Sequence, residues 1–542
     1  MAATVITACD QGTGSQQTGT PVKGKTTGKP AEPVEISFLH CWNGGGGNFP
    51  QDPDNCEVLD YLAEKTGVRL KMESITTSEV EKLNLMFASG TMPDLVNAPY
   101  WSSTGGEGAV IKKGAVEGQI LAIDEYLDKF PNVKKLCTVG IAKDFYQFDL
   151  HPPEYEGKTY LIPQQTPDGT VESIINFAYG CYARGDILKA LNVNPADIDT
   201  PDELYNLLVD IKNGGFKDIN GKPVIPAGTL HNGWDYTRFL EFWSDYNISA
   251  YREENGKIIH YIFSKDEEEK LLFMRKLIKE GLFDPEAFSN TVTMGKEKLI
   301  TGKLAIFGAQ PMTGDLMTLY KTNPEMQYEK LGPFKNKNGE TVAQVEKKGR
   351  SGFPVMFLSA QTKHAEDVLR MIDWINSEEG LVFAYWGIEN VHHTIENGVP
   401  KYLPEVKEKF AADVTNKRDA GLWLMPQFVG AFSADAKWPK DESELNEDEK
   451  LLRKYQALTP IVLIDKVSAA YLGRSYPKRQ EFLEKTAQLD YTATLRQAYY
   501  VDTDEEALKM LNDFRQKYIE AGILEYVEYI AEQVKGRDDV GF

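Results

Sequence analysis

The sequence predicts an α/β protein of more than one domain with a helical C-terminal part. With 542 residues, the chain is too long for a single hydrophobic core. Residues 34–96 alternate strand and helix patterns in the order β-α-β-α-β, which predicts a parallel sheet with right-handed crossovers. Residues 401–542 carry mostly helical patterns, including a capping box from Thr503 to Glu506.

The composition excludes some functions without selecting one. The formal net charge of −21 argues against a surface that binds nucleic acid or anionic membranes, because both call for basic patches. Walker loops, GxSxG, HExxH and paired Cys/His nucleophiles are absent from the sequence, so it predicts no cofactor and no metal. Carboxylates are abundant, however, which leaves a glycosidase pair open.

Aromatic residues follow the predicted strands of the N-terminal half. Trp42 comes after the first strand, and Tyr100 and Trp101 come after the third. The ends of strands are where α/β sheets place ligands, so we expect these side chains to bind one, with local packing as the alternative. The glycine run from Gly44 to Gly47 lacks the GK[ST] of a phosphate loop, and we interpret it as a loop at the same edge.

The first residues resemble a processed lipoprotein. Ile6-Thr7-Ala8-Cys9 is similar to a bacterial lipobox, in which small residues precede a lipidated cysteine. We therefore interpret residues 1–9 as the remnant of a signal peptide whose basic and apolar regions lie upstream, with lipidation at Cys9. Residues 10–33 are rich in Gly, Thr, Gln, Ser, Lys and Pro, which predicts a flexible tether.

Four other cysteines lie at positions 41, 56, 137 and 181, without CxxC or zinc spacing. A bridge between Cys41 and Cys56 is open to a protein outside the cell. Free buried thiols are the favoured interpretation.

The stretch from residue 351 to residue 400 carries the most specific pattern. It reads as an apolar strand followed by two helices, with Asp373-Trp374, Ser377 and Glu379-Gly380 ahead of a helix end at Tyr385 to Asn390. This order resembles family 1 extracellular solute-binding proteins, in particular the long sugar-binding lipoproteins of Gram-positive ABC importers. Asn390 replaces the usual glycine, and Trp386 stands where tyrosine is common.

Further segments extend the resemblance over nearly the whole chain. They are the hinge entry Tyr160 to Gln165 and the stretches Arg184 to Val193, Glu280 to Pro285 and Gly302 to Phe307. The resemblance implies a two-lobe fold of the type II periplasmic-binding-protein class with crossing hinge strands. Lobe 1 would comprise residues 34–165 and 352–400, and lobe 2 residues 166–351 and 401–542, the last part packing over the hinge.

Some relatives in this family carry a calcium loop at the position of Asp218 to Lys222. Calcium requires roughly six to eight oxygen ligands. Val224 and Ile225 stand where closing carboxylates would be needed. We therefore expect a metal-free hairpin.

The resemblance also implies a cleft that takes a sugar. Sugar rings have apolar faces and a rim of hydroxyl groups, so their sites need flat aromatic platforms beside polar side chains. The sequence offers 8 Trp and 26 Tyr. Besides the strand-end aromatics, the predicted ligand-binding residues are Gln164, Trp234, Asp235, Gln310, Arg350, Trp386 and His392.

Two of these candidates leave alternatives open. Trp386 ends its helix just before Gly387, which favours a stacking platform over packing against its own lobe. His392 is followed by His393, and adjacent residues on a loop seldom share a metal. We expect the pair to face solvent or to donate a hydrogen bond to the ligand.

The sequence therefore predicts a lipid-anchored, monomeric substrate-binding protein of a carbohydrate ABC importer. It would hold an oligosaccharide in its cleft at the extracellular face of the cytoplasmic membrane and deliver it to permease subunits. The lipid would be its only membrane contact. A secreted polysaccharide-degrading enzyme and a binder of another ligand, such as a peptide, are the alternatives.

Overall fold

The computed structural model describes residues 32–164, 176–230, 234–243, 250–349, 354–413, 415–430, 437–438, 442 and 445–542. The predicted lipidation site Cys9, the tether up to residue 31 and Arg350 lie outside these residues. The side chain of Trp234 also lies outside the description.

The strands are numbered here in chain order. They are β1 (Val34–Asn43), β2 (Val68–Ile75), β3 (Leu95–Ala98), β4 (Ile162–Pro163), β5 (Gly180–Arg184), β6 (Ile225–Thr229), β7 (Tyr251–Glu254), β8 (Lys257–His260), β9 (Leu304–Ala309), β10 (Tyr328–Lys330), β11 (Gln344–Lys347), β12 (Val355–Leu358), β13 (His393–Glu396), β14 (Val399–Tyr402), β15 (Ile461–Ile464), β16 (Val467–Ser468) and β17 (Val540–Gly541).

Lobe 1 is built on a five-stranded sheet with the order β2-β1-β3-β12-β4. The first three strands are parallel, as the sequence predicts, and helices Glu57–Thr66 and Glu79–Ser89 form their crossovers. β12 returns antiparallel to both β3 and β4. The other helices of this lobe are Gly106–Val116, Pro131–Thr138, Lys143–Phe145, Ala365–Ile375, Glu378–Trp386, Pro404–Ala412 and Thr415–Asp419.

The lobe 1 core lies on both faces of this sheet because side chains alternate along each strand. Phe38 packs on one face and Leu39 on the other. Helix Ala365–Ile375 covers the first face with the apolar stripe that the sequence predicts. Its buried stripe residues are Val368, Met371, Ile372 and Ile375.

Lobe 1 extends past the predicted boundary at residue 400. Leu422 and Met425 are buried in its core, and the ring centroids of Phe38 and Phe428 are 4.9 Å apart. The chain therefore stays in lobe 1 until about the end of the helix Met425–Phe428. The prediction that lobe 2 resumes at residue 401 was too early.

Lobe 2 is built on a four-stranded sheet with the order β10-β5-β9-β6. β9 is antiparallel to β5 and parallel to β6, whereas β10 is antiparallel to β5. Helix Pro201–Asn213 packs against it and begins with the predicted capping box between Thr200 and Glu203. The other helices are Gly185–Leu191, Lys265–Lys279, Val292–Ile300, Thr313–Tyr320 and Glu447–Ala457.

The C-terminal part is helical, as predicted, and completes lobe 2. Its helices are Ala469–Leu472, Arg479–Thr486, Tyr491–Ala498, Asp504–Glu520 and Ile523–Val534. Leu495, Tyr499 and Leu511 are buried in the lobe 2 core.

One C-terminal segment also contacts lobe 1. The fully buried Asp149 accepts hydrogen bonds from the Tyr471 hydroxyl at 2.6 Å and from the Arg474 guanidinium at 3.0 Å. Arg474 also donates to the Phe148 carbonyl at 2.8 Å. The C-terminal part therefore bridges the two lobes.

The two sheets are connected by segments that cross between the lobes. The first crossing leads from the end of β4 to the start of β5, and a later one leads from β11 back to β12. The ends of β1 and β3 lie beside the end of β4, and the end of β9 lies beside the start of β5. These two sheet edges are where a ligand held between the lobes would lie.

Candidate ligand-binding site

At the lobe 1 edge, three strand ends and the short helix Met425–Phe428 form one hydrogen-bonded group. The Trp42 indole donates to the Asn97 side-chain oxygen at 3.2 Å. The Asn97 amide donates to the Gln164 side chain and, at 3.2 Å, to the Gln427 carbonyl, to which the Gln164 amide also donates. Asn97 and Gln164 are fully buried, so these bonds fix the orientation of the Trp42 ring. We call this group the lobe 1 polar cluster.

His40 packs beneath this cluster. Its ring lies 6.3 Å from the Trp42 ring, and burial lowers the pKa of His40 to about 4, so it is neutral at physiological pH. A Cβ added to Gly45 would lie 2.3 Å from the His40 ring. The glycine run therefore lets the chain pass close over the histidine, which explains it without a bound phosphate.

The two aromatics that follow β3 have opposite environments. Trp101 is 62% exposed at the cleft edge, as a platform must be. Tyr100 is fully buried, donates its hydroxyl to the Asp149 carbonyl at 2.7 Å and packs edge-on against Phe145. Tyr100 is therefore a core residue, and the alternative of local packing holds for it.

At the lobe 2 edge, Gln310 is exposed directly after β9, and its contact with a ligand stays a prediction. Asp235 lies in the short helix Trp234–Trp243 and is fully buried, so its carboxylate does not reach the surface in this conformation. Of these two predicted contacts, the structure leaves Gln310 at the cleft.

A cavity of about 500 Å³ opens at the same edge, where β5 begins and β10 ends. Aromatic and charged side chains line it together, which is the composition that a sugar site requires. The aromatic ones are Tyr179, Trp243, Tyr261 and Phe334, and the charged ones are Arg238, Glu241, Arg252, Lys270, Lys330 and Glu346. We call it the lobe 2 cavity.

Lys330 connects the cavity wall to the crossing segments. Its buried ammonium donates to the carbonyls of Ala178 at 3.2 Å and Tyr179 at 2.7 Å, and to the Thr459 hydroxyl at 2.6 Å. Burial lowers the pKa of Lys330 to about 8. The lysine therefore ties the end of β10 to two chain segments beside the hinge.

Tyr179 is held by a charged partner. The Arg238 guanidinium lies 4.5 Å from the centre of the Tyr179 ring and 2.6 Å from a carboxylate oxygen of Glu241. The ring is half-buried and lines the cavity. Tyr179 is therefore an oriented aromatic surface of the kind that stacks on a sugar.

Trp386 and His392 lie inside lobe 1 rather than in the cleft. Trp386 is 7% exposed, and its ring centroid is 4.7 Å from that of Tyr402. His392 accepts a hydrogen bond from the Ile388 amide at 3.1 Å and lies 3.1 Å from a Glu57 carboxylate oxygen. Burial lowers the pKa of His392. These contacts correct the platform prediction for Trp386 and the ligand contact for His392.

His393 is also buried, and its Nδ1 lies 3.2 Å from the Trp386 carbonyl. The histidine pair therefore anchors the loop after helix Glu378–Trp386. The expectation that the pair faces solvent was wrong.

Two residues that line the cavity, Tyr179 and Lys330, were missed from the sequence. Asn97 and Gln427, which hold Trp42 and Gln164 from inside lobe 1, were missed as well. Asn97 carried a usable signal, because a polar residue inside the apolar run of β3 needs hydrogen-bond partners from other segments. Gln427 contributes a backbone carbonyl from far along the chain, and no sequence pattern marks such a contact.

The remaining sequence interpretations concern cysteines and calcium. Cys41, Cys56, Cys137 and Cys181 are free and buried, so the bridge alternative is wrong. Asp218 accepts hydrogen bonds from the Asn220 and Lys222 amides, both at 2.9 Å, in the predicted hairpin. Within the described residues, no group of three or more His, Cys, Asp or Glu is arranged to hold a metal.

Two elements of this geometry define a class of protein: two α/β lobes joined by crossing segments, and polar and aromatic side chains at the strand ends beside those segments. Residues 57–381 match the family described as bacterial extracellular solute-binding protein. The chain belongs to this family. In the described part of the chain, no helix combines the length and apolar character that a membrane span requires.

Two curated relatives cover different shares of the chain. The fructooligosaccharide ABC transporter substrate-binding protein FusA of Streptococcus pneumoniae serotype 4 is 24% identical over 544 residues, 92% of this chain and 95% of FusA. Lipoprotein LipO of Bacillus subtilis is 22% identical over 375 residues, which is 65% of this chain and 66% of LipO.

Solved structures support the fold. The alginate-binding protein AlgQ2, solved without calcium ion, has a TM-score of 0.63 at 19% identity, over 93% of this chain and 98% of AlgQ2. FusA from S. pneumoniae, as an EF-hand mutant in complex with fructo-nystose, has a TM-score of 0.59 at 19% identity, over 93% of this chain and all (100%) of that chain.

Proposed function

We propose that this protein is the substrate-binding component of an ABC importer and that it captures an oligosaccharide between its lobes. The observation that carries the proposal is the lobe 2 cavity, where half-buried aromatic rings and hydrogen-bonding groups lie together beside the hinge. Its volume of about 500 Å³ lies within the range of small-ligand sites. The exposed Trp101 and the half-buried Trp42, whose ring the lobe 1 polar cluster orients, supply a second wall.

The relatives support the ligand class and the transporter. FusA is named for fructooligosaccharide and an ABC transporter, and it aligns over nearly the whole chain. A permease would then receive the sugar from the closed protein. We further propose that Cys9 carries the lipid that holds a monomeric protein at the extracellular face of the membrane, which the lipobox-like Ile6 to Cys9 and the LipO relative support.

Isothermal titration against a panel of oligosaccharides tests the proposal. The panel contains fructo-, malto-, xylo- and manno-oligosaccharides, oligogalacturonate and short peptides. Each mixture is afterwards separated by chromatography. We expect saturable binding of at least one oligosaccharide and its recovery intact. Turnover of any glycan would favour a polysaccharide-degrading enzyme, and binding confined to peptides would favour the other alternative.

Mass spectrometry of the protein from its native membrane tests the anchor. We expect a diacylated N-terminal cysteine that corresponds to Cys9. An unmodified N-terminus upstream of residue 9 would contradict lipidation without affecting the proposed ligand.

A further inference from the structure

Three of the four cationic side chains that line the lobe 2 cavity, Arg238, Arg252 and Lys270, already have carboxylate partners. Glu241 lies 2.6 Å from Arg238, and both side chains are partly buried in the cavity wall. Arg238 also lies over the Tyr179 ring. A ligand that stacks on Tyr179 therefore meets an arginine whose charge Glu241 balances.

Two other cations that line the cavity are balanced in the same way. Arg252 lies 3.1 Å from Glu254 and 3.2 Å from Asp266. Lys270 lies 2.8 Å from Glu267. Their carboxylate partners neutralise both cations before any ligand arrives.

The last cation of the cavity, Lys330, directs its ammonium hydrogens to two carbonyls and a hydroxyl. On the same wall, the Glu346 carboxylate accepts a hydrogen bond from Gln344 at 2.5 Å, and burial raises the pKa of Glu346. The surroundings of Glu346 in the cavity therefore already disfavour the negative charge of a carboxylate.

We propose that the lobe 2 cavity selects uncharged oligosaccharides over acidic ones, and that Glu241 is the residue that determines this selectivity by neutralising Arg238. The inference rests on the proposed function and deepens it, because it assigns a ligand class to the same site. A buried carboxylate is costly unless a cation pairs with it. Sugar hydroxyls, which donate and accept hydrogen bonds, need no such cation.

A pair of probes that differ only in charge tests this selectivity. One is the neutral oligosaccharide that binds best in the panel, and the other is the same compound with its primary alcohols oxidised to carboxylates. For the unaltered protein we expect the oxidised probe to bind at least about tenfold more weakly. In Glu241→Gln, the amide keeps the size of the side chain and frees the charge of Arg238. We therefore expect the oxidised probe to gain about 10- to 100-fold in affinity.

Glu268→Gln is the matched control. It removes a carboxylate that lies 2.6 Å from Arg515, outside the residues that line the cavity. We expect both probes to bind Glu268→Gln as they bind the unaltered protein. Thermal melting of each variant establishes that it is folded. If Glu241→Gln unfolds, Glu241→Ser, which also removes the charge, replaces it.

The outcomes separate this inference from the proposed function. The inference is overturned if the unaltered protein binds the oxidised probe as tightly as the neutral probe or more tightly. It is also overturned if the Glu241 variant keeps the preference of the unaltered protein. In both cases the proposed function as a sugar-binding protein still holds. Binding of oligogalacturonate and no neutral sugar has the same consequence. Failure to bind any oligosaccharide overturns the proposed function itself.

Discussion

Trp101 follows the strand β3 and Trp386 is the last residue of its helix, yet Trp101 is 62% exposed and Trp386 is 7% exposed. The difference arises from contacts that are distant in sequence. Hairpin β13–β14 places Tyr402 against the Trp386 ring, whereas the residues after Trp101 turn at the cleft edge. Local pattern locates an element's end, but burial depends on which other segments reach it.

We expect substitution of one tryptophan to affect ligand binding and substitution of the other to affect stability. Trp101→Ala should weaken oligosaccharide binding about 5- to 150-fold, by analogy with aromatic–base stacking, without lowering the melting temperature. Trp386→Ala should lower the free energy of unfolding by about 3–5 kcal/mol and leave the affinity of the folded protein unchanged. Calorimetric titration and chemical denaturation of both variants measure the two effects. A stable Trp386→Ala variant with weakened binding would restore the platform prediction.

Two buried histidines should make stability depend on pH. Burial lowers the pKa of His40 and of His260 to about 4, below the value of about 6.5 expected in the unfolded chain. Between these values the unfolded state binds more protons, so stability is complete above about pH 6.5 and falls as the pH drops toward about 4. Each histidine contributes at most about 3 kcal/mol to this loss.

The dependence of the free energy of unfolding on pH is measured by urea denaturation at a series of pH values. His260→Asn keeps a hydrogen-bond acceptor for the Ile262 amide, which His260 now caps, and removes the titrating ring. We expect a flatter dependence on pH for this variant. An unchanged slope would show that the pKa of His260 is the same in the folded and the unfolded protein.

At the scale of elements, the sequence predicted most accurately the features that local periodicity determines, namely strand and helix order and the buried face of a helix. The β-α-β-α-β order of lobe 1 and the stripe of helix Ala365–Ile375 follow from 2- and 3.6-residue repeats within short windows. The helix Met425–Phe428 was not assigned to lobe 1 from the sequence. Its apolar residues are buried by packing against the strand β1, which lies much earlier in the chain, and no local pattern indicates that contact. The lobe 2 cavity was missed because the residues that line it are also far apart in the sequence, from Tyr179 to Pro460.

The contact between Asp149 and the segment of Tyr471 and Arg474 is an element-scale bridge between the lobes. Asp149→Asn should lower the free energy of unfolding by about 3–5 kcal/mol, because it leaves a partly buried arginine without its carboxylate. The matched control is Glu481→Gln, which breaks an exposed pair with Lys485 on the helix Arg479–Thr486 and should have no measurable effect. Guanidinium denaturation of both variants tests this. Equal stabilities would show that the bridge contributes nothing to folding.

For the whole molecule, the resemblance predicted two lobes and their crossings, whereas the lobe boundary needed the three-dimensional core. The chain leaves lobe 1 after β4, returns at β12 and leaves again after the helix Met425–Phe428. Each lobe has its own sheet and its own core. Such an arrangement lets the lobes move as rigid units while the crossing segments absorb the change in backbone angles.

We expect the lobes to close on the ligand. A sugar that contacts Trp101 on one edge and Tyr179 on the other gains both contacts together only when the edges approach, so the closed state binds it more tightly. Small-angle X-ray scattering should therefore show a smaller radius of gyration with saturating oligosaccharide than without it. A sugar that fails to bind in calorimetry serves as the control and should leave the radius unchanged. Trp101→Ala should need more oligosaccharide to reach the same compaction, because it removes one of the two contacts that favour closure. An unchanged radius at saturation, with binding established by calorimetry, would mean that the cleft is a rigid site.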